Sequence, residues 1–383
     1  MIDGQKRSFL KFQDVRAFLD SVLDEDIHTK RVDSLANATL GVMTGASLGV
    51  ALIGKSLAQA RGLLPKHAVK QVDRLLSNPR LEAWDVFATW VPEMVGARLD
   101  VVVAMDWTDY DADGQATLAL KLVTRHGRAT PLVWLSVHKD DLKDARNDYE
   151  DASLRRLAEV LPDGVTATIL AGFADTKLFE FLTELGFGYV IRLKGNTKVS
   201  AADGTTHPAA GWIGQGGRAR KLRDAAVTEA HCPVGAAVCV HARDMKEPWC
   251  LVTSTPDATA PQIIKLYSKR WGVEPSFRDT KDLRFGLCAV RIADPQRRDR
   301  LLLLNAFAVV LLTLLGAAGE SLGMDRHLKS NTVKTRSHSL FRQGSTLYDL
   351  IPNMPEHRLR PLIDRFAELL QQSRAFTETF AVT

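Results

Sequence analysis

Tyr267, Arg270, Glu274, Arg278 and Lys281 stand in the run YSKRWGVEPSFRDTK, residues 267–281. At about 100° per helical residue they fall within roughly an 80° arc, so one face presents a carboxylate between cations. Such a face has two readings. A ladder of i,i+4 ion pairs on a solvated helix explains it without any chemistry. An acid that works between flanking cations, with a further acid elsewhere in the fold, explains it too. Pro275 removes the backbone bond to the Trp271 carbonyl, which predicts a kink at Glu274 or two helices meeting there.

Asp106 is a candidate for that further acid, because it closes the apolar run V-V-V-A-M-D. A carboxylate where a buried strand emerges is costly unless it is paired or binds a metal. Capping of the following turn is the alternative. Just beyond it, Asp109, Asp111 and Asp113 alternate ahead of Gly114 as in a calcium loop, but the twelfth position is Leu120. A hairpin turn suits those acids better. His231, Cys232, Cys239, His241 and Cys250 lack a C-x₂₋₄-C pair, and Cys239 and His241 fit alternate positions of one strand, so a zinc site is not expected. Phosphate-loop, nucleophile-elbow and dinucleotide-binding motifs are not found.

The elements that must position these residues read in blocks. Residues 1–95 are expected to form a helical N-terminal DNA-binding domain in which KHAVKQVDRLL carries basic residues on an amphipathic frame. LDVVVAMDWTDY, QATLALKLVTR and ATPLVWLSV read as a three-strand meander, followed by alternating helices and strands to residue 196. Residues 197–255 read as a β-rich insertion, residues 256–320 as the second part of the core, and residues 321–383 as a C-terminal helical region. LLLLNAFAVVLLTLLGAAG follows the basic run RRDR and is almost long enough to span a bilayer. A helix buried at the centre of a large core is the preferred reading.

The chain has 383 residues, 45% hydrophobic and 25% charged, which suits a globular protein of more than one structural unit. A net charge of +5 favours a polyanionic partner only mildly. Four cysteines are too few for a disulfide framework, and the first residues lack an apolar signal core, so a cytoplasmic setting is expected.

The order Tyr267, two residues, Arg270, three residues, Glu274, six residues, Lys281 resembles the Y-(2)-R-(3)-E-(6)-K signature of the insertion-sequence-four family of bacterial DDE transposases. KHAVKQVDRLLSNPRL, VVVAMDWT, DTKLFEFLTELGFGYVIRLKGN and RSHSLFRQG extend the likeness along most of the chain. The resemblance implies an α/β fold: a ribonuclease-H-like mixed sheet with flanking helices, interrupted by the β-rich insertion, with the helical regions at either end. It implies DNA cleavage and strand transfer at terminal inverted repeats, possible hairpin ends, and a homodimer on paired ends of double-stranded DNA near the nucleoid. It also implies three carboxylates holding two Mg²⁺ ions, for which Mn²⁺ substitutes, in two-metal catalysis.

On this mapping Asp106 is the first acid and Glu274 the third. Tyr267, Arg270, Lys281 and Arg278 would meet DNA phosphates, and Trp249 would stack on a flipped base. The alternative for Trp249 is burial beside its strand. One departure stands out. Relatives carry L-A-D-R-G-F-x-D where this chain reads ILAGFADTK, so the usual second catalytic Asp is missing. Asp175 matches the later Asp of that pattern. It is either the N-cap of the helix opening at Thr176 or a replacement metal ligand. The alternative function is therefore a catalytically inactive DNA-binding remnant.

Overall fold

The computed structural model describes residues 12–23, 27–173 and 176–371. Helices α1 (Phe12–Val22), α2 (Thr29–Gly45), α3 (Val50–Arg61), α4 (Pro65–Leu76) and α5 (Ala83–Val95) come first. On α4, Ala68, Val72, Leu75 and Leu76 turn inward at helical spacing while the basic residues stay on the outer side.

The sheet begins with β1 (Asp100–Tyr110), β2 (Gln115–Leu122) and β3 (Thr130–His138). The acids of DYDADG form the first turn of this meander, closed by Gly114 at φ +61°, a conformation glycine adopts without a Cβ penalty. After α6 (Arg146–Val160), β4 (Thr166–Ala171) runs parallel to β1; after α7 (Thr176–Glu184), β5 (Gly188–Leu193) runs parallel to β4. The β-rich stretch supplies β6 (Lys198–Ser200), β7 (Thr206–Pro208), β8 (Arg220–Val227), β9 (Cys232–Val240) and β10 (Trp249–Thr253). These strands do not form a separate layer. β10 pairs antiparallel with the open edge of β5, and the others continue outward, giving a ten-stranded mixed sheet in the order β3-β2-β1-β4-β5-β10-β9-β8-β6-β7. An unpaired strand edge offers unsatisfied N–H and C=O groups, and β10 satisfies them here. With the helices on its faces, this is the mixed α/β architecture expected of a ribonuclease-H-like fold.

The remaining helices are α8 (Ala260–Ser268), α9 (Val273–Arg278), α10 (Pro295–Ser321), α11 (Leu340–Leu350) and α12 (Glu356–Gln371). Ile263, Tyr267 and Val273, from α8 and α9, pack with Ala104, Leu170, Val190 and Leu251 of the sheet. Helix α10 packs against β3, α2, α11 and α12. It is long and apolar enough to cross a membrane, but 89% of its most apolar stretch is buried within the protein. A Cβ on Gly344 would fall 1.7 Å from the Leu312 carbonyl oxygen, so the α10–α11 crossing is closer than any side chain permits.

The basic run at the start of α10 is an internal fastener. Arg297 donates to Asp73 at 2.6 Å, and Arg298 donates to Asp113 and to Gln115, each at 2.6 Å. Asp299 accepts from the Ser136 amide at 3.0 Å, and Arg300 donates to the Leu81 carbonyl at 2.6 Å.

Candidate active site around Asp106

Asp106 lies on β1 opposite Ala119 of β2, with its side chain 25% exposed. Its Oδ2 accepts from Arg270 Nη1 at 2.6 Å, and its Oδ1 accepts from the Trp107 amide at 3.1 Å. The next residue of the strand is also held in place. Trp107 Nε1 donates to Glu150 Oε1 at 2.7 Å, and Arg146 donates to the same oxygen at 3.2 Å. Burial pushes the Glu150 carboxyl above its usual range, which those two donors only partly offset.

Arg270 does not sit on the same helix as Glu274. α8 opens with a capping box between Thr259 and Gln262, then ends at Ser268. A 3₁₀ turn, Lys269–Gly272, carries Arg270 toward the sheet, and α9 starts afresh at Val273. The Gly272 carbonyl accepts from the Ala129 amide at 3.2 Å, which fixes this turn against the sheet. The expected kink at Glu274 thus falls slightly earlier. Pro275 occupies the first turn of α9, where a missing N–H costs little. The single charged face drawn from an ideal helix is therefore divided among four short segments, the last being the turn Asp279–Leu283 that carries Lys281.

Glu274 is exposed, on a helix that packs against β1. Lys121 anchors that helix. It pairs with Ala104 on the adjacent strand and therefore shares the sheet face of Asp106. Its Nζ donates to Ser276 Oγ at 2.8 Å and lies 3.6 Å from the centre of the Phe277 ring. Burial pulls its pKa down to about 7, although Asp106 and Asp279 favour the charged form. One turn on, Arg128 Nε donates to Asp279 Oδ2, and Asn305 donates to Thr280 at 3.2 Å. Lys281 donates to the Asp109 carbonyl at 2.8 Å, so its ammonium steadies β1. Arg278 is exposed and has no ion-pair partner among the described residues.

Two other expected DNA contacts are placed differently. Tyr267 is only 2% exposed, and its ring meets Trp249 edge to face at 5.1 Å. α8 turns Tyr267 inward because the apolar face of the sheet needs cover there, so neither its hydroxyl nor its ring is presented to a phosphate. Trp249 is half-buried against it, as the burial alternative expected.

Position 172 is informative. Ala171 pairs with Met105 in the parallel register of β1 and β4, so Gly172 comes next, beside Asp106. A Cβ there would lie 3.4 Å from Arg270 Cζ. The neighbouring strand thus has no side chain where a second carboxylate would face the first, and the Arg270 guanidinium fills that space. Asp175 lies outside the described residues. Among the described residues, no group of three or more His, Cys, Asp or Glu side chains could hold a metal ion. Asp106 and Glu274 alone do not make the three-carboxylate set that two ions require.

Sequence reasoning brought forward Asp106, Arg270, Glu274 and Lys281, and the structure brings Arg270 onto Asp106. It missed Lys121, Arg128, Asp279 and Gly172. The available signal for Lys121 was a single charge within the apolar run LALKLV.

A sequence-family model described as "Transposase DDE domain" matches residues 99–311, from just before β1 into α10. No curated protein matches the chain.

Proposed function

This chain belongs to the transposase DDE-domain family, and from that premise we propose that it is an insertion-sequence transposase of the Y-(2)-R-(3)-E-(6)-K type. It binds the terminal inverted repeats of its own element as a dimer on paired ends, cuts the DNA, and joins the freed ends to a target. The observation that carries this reading is the placement of Arg270, from the signature run, on the carboxylate of Asp106 within β1.

Asp106 and Glu274 act as the acids of the cutting centre. Arg270 holds the Asp106 carboxylate when no substrate is bound, and Arg278, exposed beside Glu274, meets a phosphate of the cut strand. Members of this family generally use divalent metal ions, and Mg²⁺ is the ion proposed, with Mn²⁺ able to replace it. The ligand set would need a carboxylate beyond Asp106 and Glu274. Trp249 reaches a flipped base only by leaving Tyr267.

A second reading has its own support. The missing side chain at Gly172, with a guanidinium in its place, favours a remnant that binds DNA without cutting it. Nicking of element-end duplexes in Mg²⁺ or Mn²⁺ separates the two. Cleavage by the natural chain, abolished in Glu274→Ala, supports the transposase and sinks the remnant. Cleavage seen only in Gly172→Asp supports the remnant. Binding without cleavage in both proteins refutes catalytic competence.

A further inference from the structure

A cleft far from Asp106 in sequence lies between the first turn of α2 and the outer face of α4. It has a volume of about 630 Å³. His28, Lys30 and Arg31 line one wall, and His67, Lys70 and Arg74 line the other. On α4 the three basic residues recur at i, i+3 and i+7, which aligns them along one side of the helix. All are exposed except Arg31, which is half-buried.

Among the described residues, the cleft is lined by cations and by no acid. Each of the two helices carries a single aspartate, and each aspartate is drawn elsewhere. Asp33 of α2 accepts from Arg16 of α1 at 2.7 Å, and Asp73 of α4 accepts from Arg297 of α10 at 2.6 Å. Lys30, Arg31, Lys70 and Arg74 have no ion-pair partner among the described residues. Neither helix has an acid in its first turn. Four side chains of fixed charge therefore face one open cleft, with nothing of opposite sign inside it to neutralise them. Like charges gathered this way repel one another unless an anion with several charges joins them.

We propose that the α2–α4 cleft is a docking groove for the phosphate backbone of double-stranded DNA. This rests on the DNA-handling reading above and deepens it by assigning a second contact region, apart from the cutting centre. Phosphates fit because the lining offers charge and N–H donors, and a row of cations on one helix side matches a regularly spaced polyanion. Contact of this kind positions a duplex without reading its sequence.

The test is anisotropy of a short labelled duplex of arbitrary sequence with the full chain, titrated from about 50 to about 200 mM salt. Lys70→Gln/Arg74→Gln is expected to lower affinity at least tenfold. It should also flatten the slope of log K against log salt by about 2, one for each cation removed. Arg358→Gln/Arg360→Gln on α12 removes the same charge elsewhere and is expected to leave the slope near that of the natural chain. Circular dichroism checks that each variant is folded. An unchanged slope in the cleft variant, an equal loss in the α12 variant, or tighter binding of duplex RNA than of duplex DNA overturns the proposal. Failure of the natural chain to bind any duplex defeats the transposase reading itself. Binding by the natural chain that survives the cleft substitutions defeats only the groove.

Discussion

Two groups of cations in this chain behave in opposite ways. Around the sheet, Arg270, Arg128, Lys121, Lys281, Arg298 and Arg300 are all engaged by partners of the same chain. In the α2–α4 cleft, Lys30, Arg31, Lys70 and Arg74 are engaged by none among the described residues. Similar side chains thus hold the fold together in one place and await a ligand in the other. What separates them is whether an acid or carbonyl lies within reach, and composition alone cannot say that.

The contrast predicts that substitutions at the sheet cost stability while those in the cleft cost binding. The largest stability loss is expected from Arg298→Ala. Arg298 is fully buried between Asp113 and Gln115, and removing it leaves a buried aspartate without its main partner. A loss of about 3–5 kcal/mol in denaturant unfolding follows, with duplex affinity nearly unchanged in a folded sample. A loss below about 1 kcal/mol would show that the network is not holding the fold.

Lys121 gives the next effect, read through pH. Its folded pKa is about 7, against an unbound lysine value of 10.5. Above pH 7 the unfolded chain holds a proton that the folded chain has released, so stability rises as pH climbs from 7 toward 10. Lys121→Met should remove that rise, which is worth a few kcal/mol across the window. Parallel stability curves for the two proteins would mean that the ammonium stays charged in the fold.

Arg270→Gln is expected to cost about 1–2 kcal/mol, since the Asp106 pair is only partly exposed. Duplex affinity should change less than threefold, because that guanidinium is already engaged; a loss matching the cleft variant would erase the contrast. The smallest stability change belongs to Lys70→Gln/Arg74→Gln, within about 0.5 kcal/mol by denaturant titration, despite its large effect on binding.

Much of the architecture was legible in the sequence. The meander, the alternating helices and strands, and the buried character of α10 follow from periodicity and length. The strand carrying Asp106 was also readable, although β1 continues four residues past it to Tyr110 instead of ending there. What was not legible depends on partners distant in the chain. RRDR reads only as a basic run ahead of an apolar stretch, because the partners of its side chains lie in segments far upstream. Tyr267 reads as a polar contact because its burial requires the sheet face it covers. The break between α8 and α9 was expected at Glu274 but falls earlier, because Pro275 is tolerated in the first turn of α9 while the turn holding Arg270 is fixed by Ala129. The role of Gly172 emerges only from strand register.

The basic start of α10 also bears on how the chain folds. Its hydrogen bonds to Asp73, Asp113, Ser136 and Leu81 close sequence separations of 224, 185, 163 and 219 residues. Loops of that length form only after the helices and the hairpin they join have taken shape, which places α10 docking late and makes it slow. Once docked, the same turn ties the leading helices to the sheet, so heating should melt residues 12–371 in one cooperative transition, with no earlier loss of the first five helices.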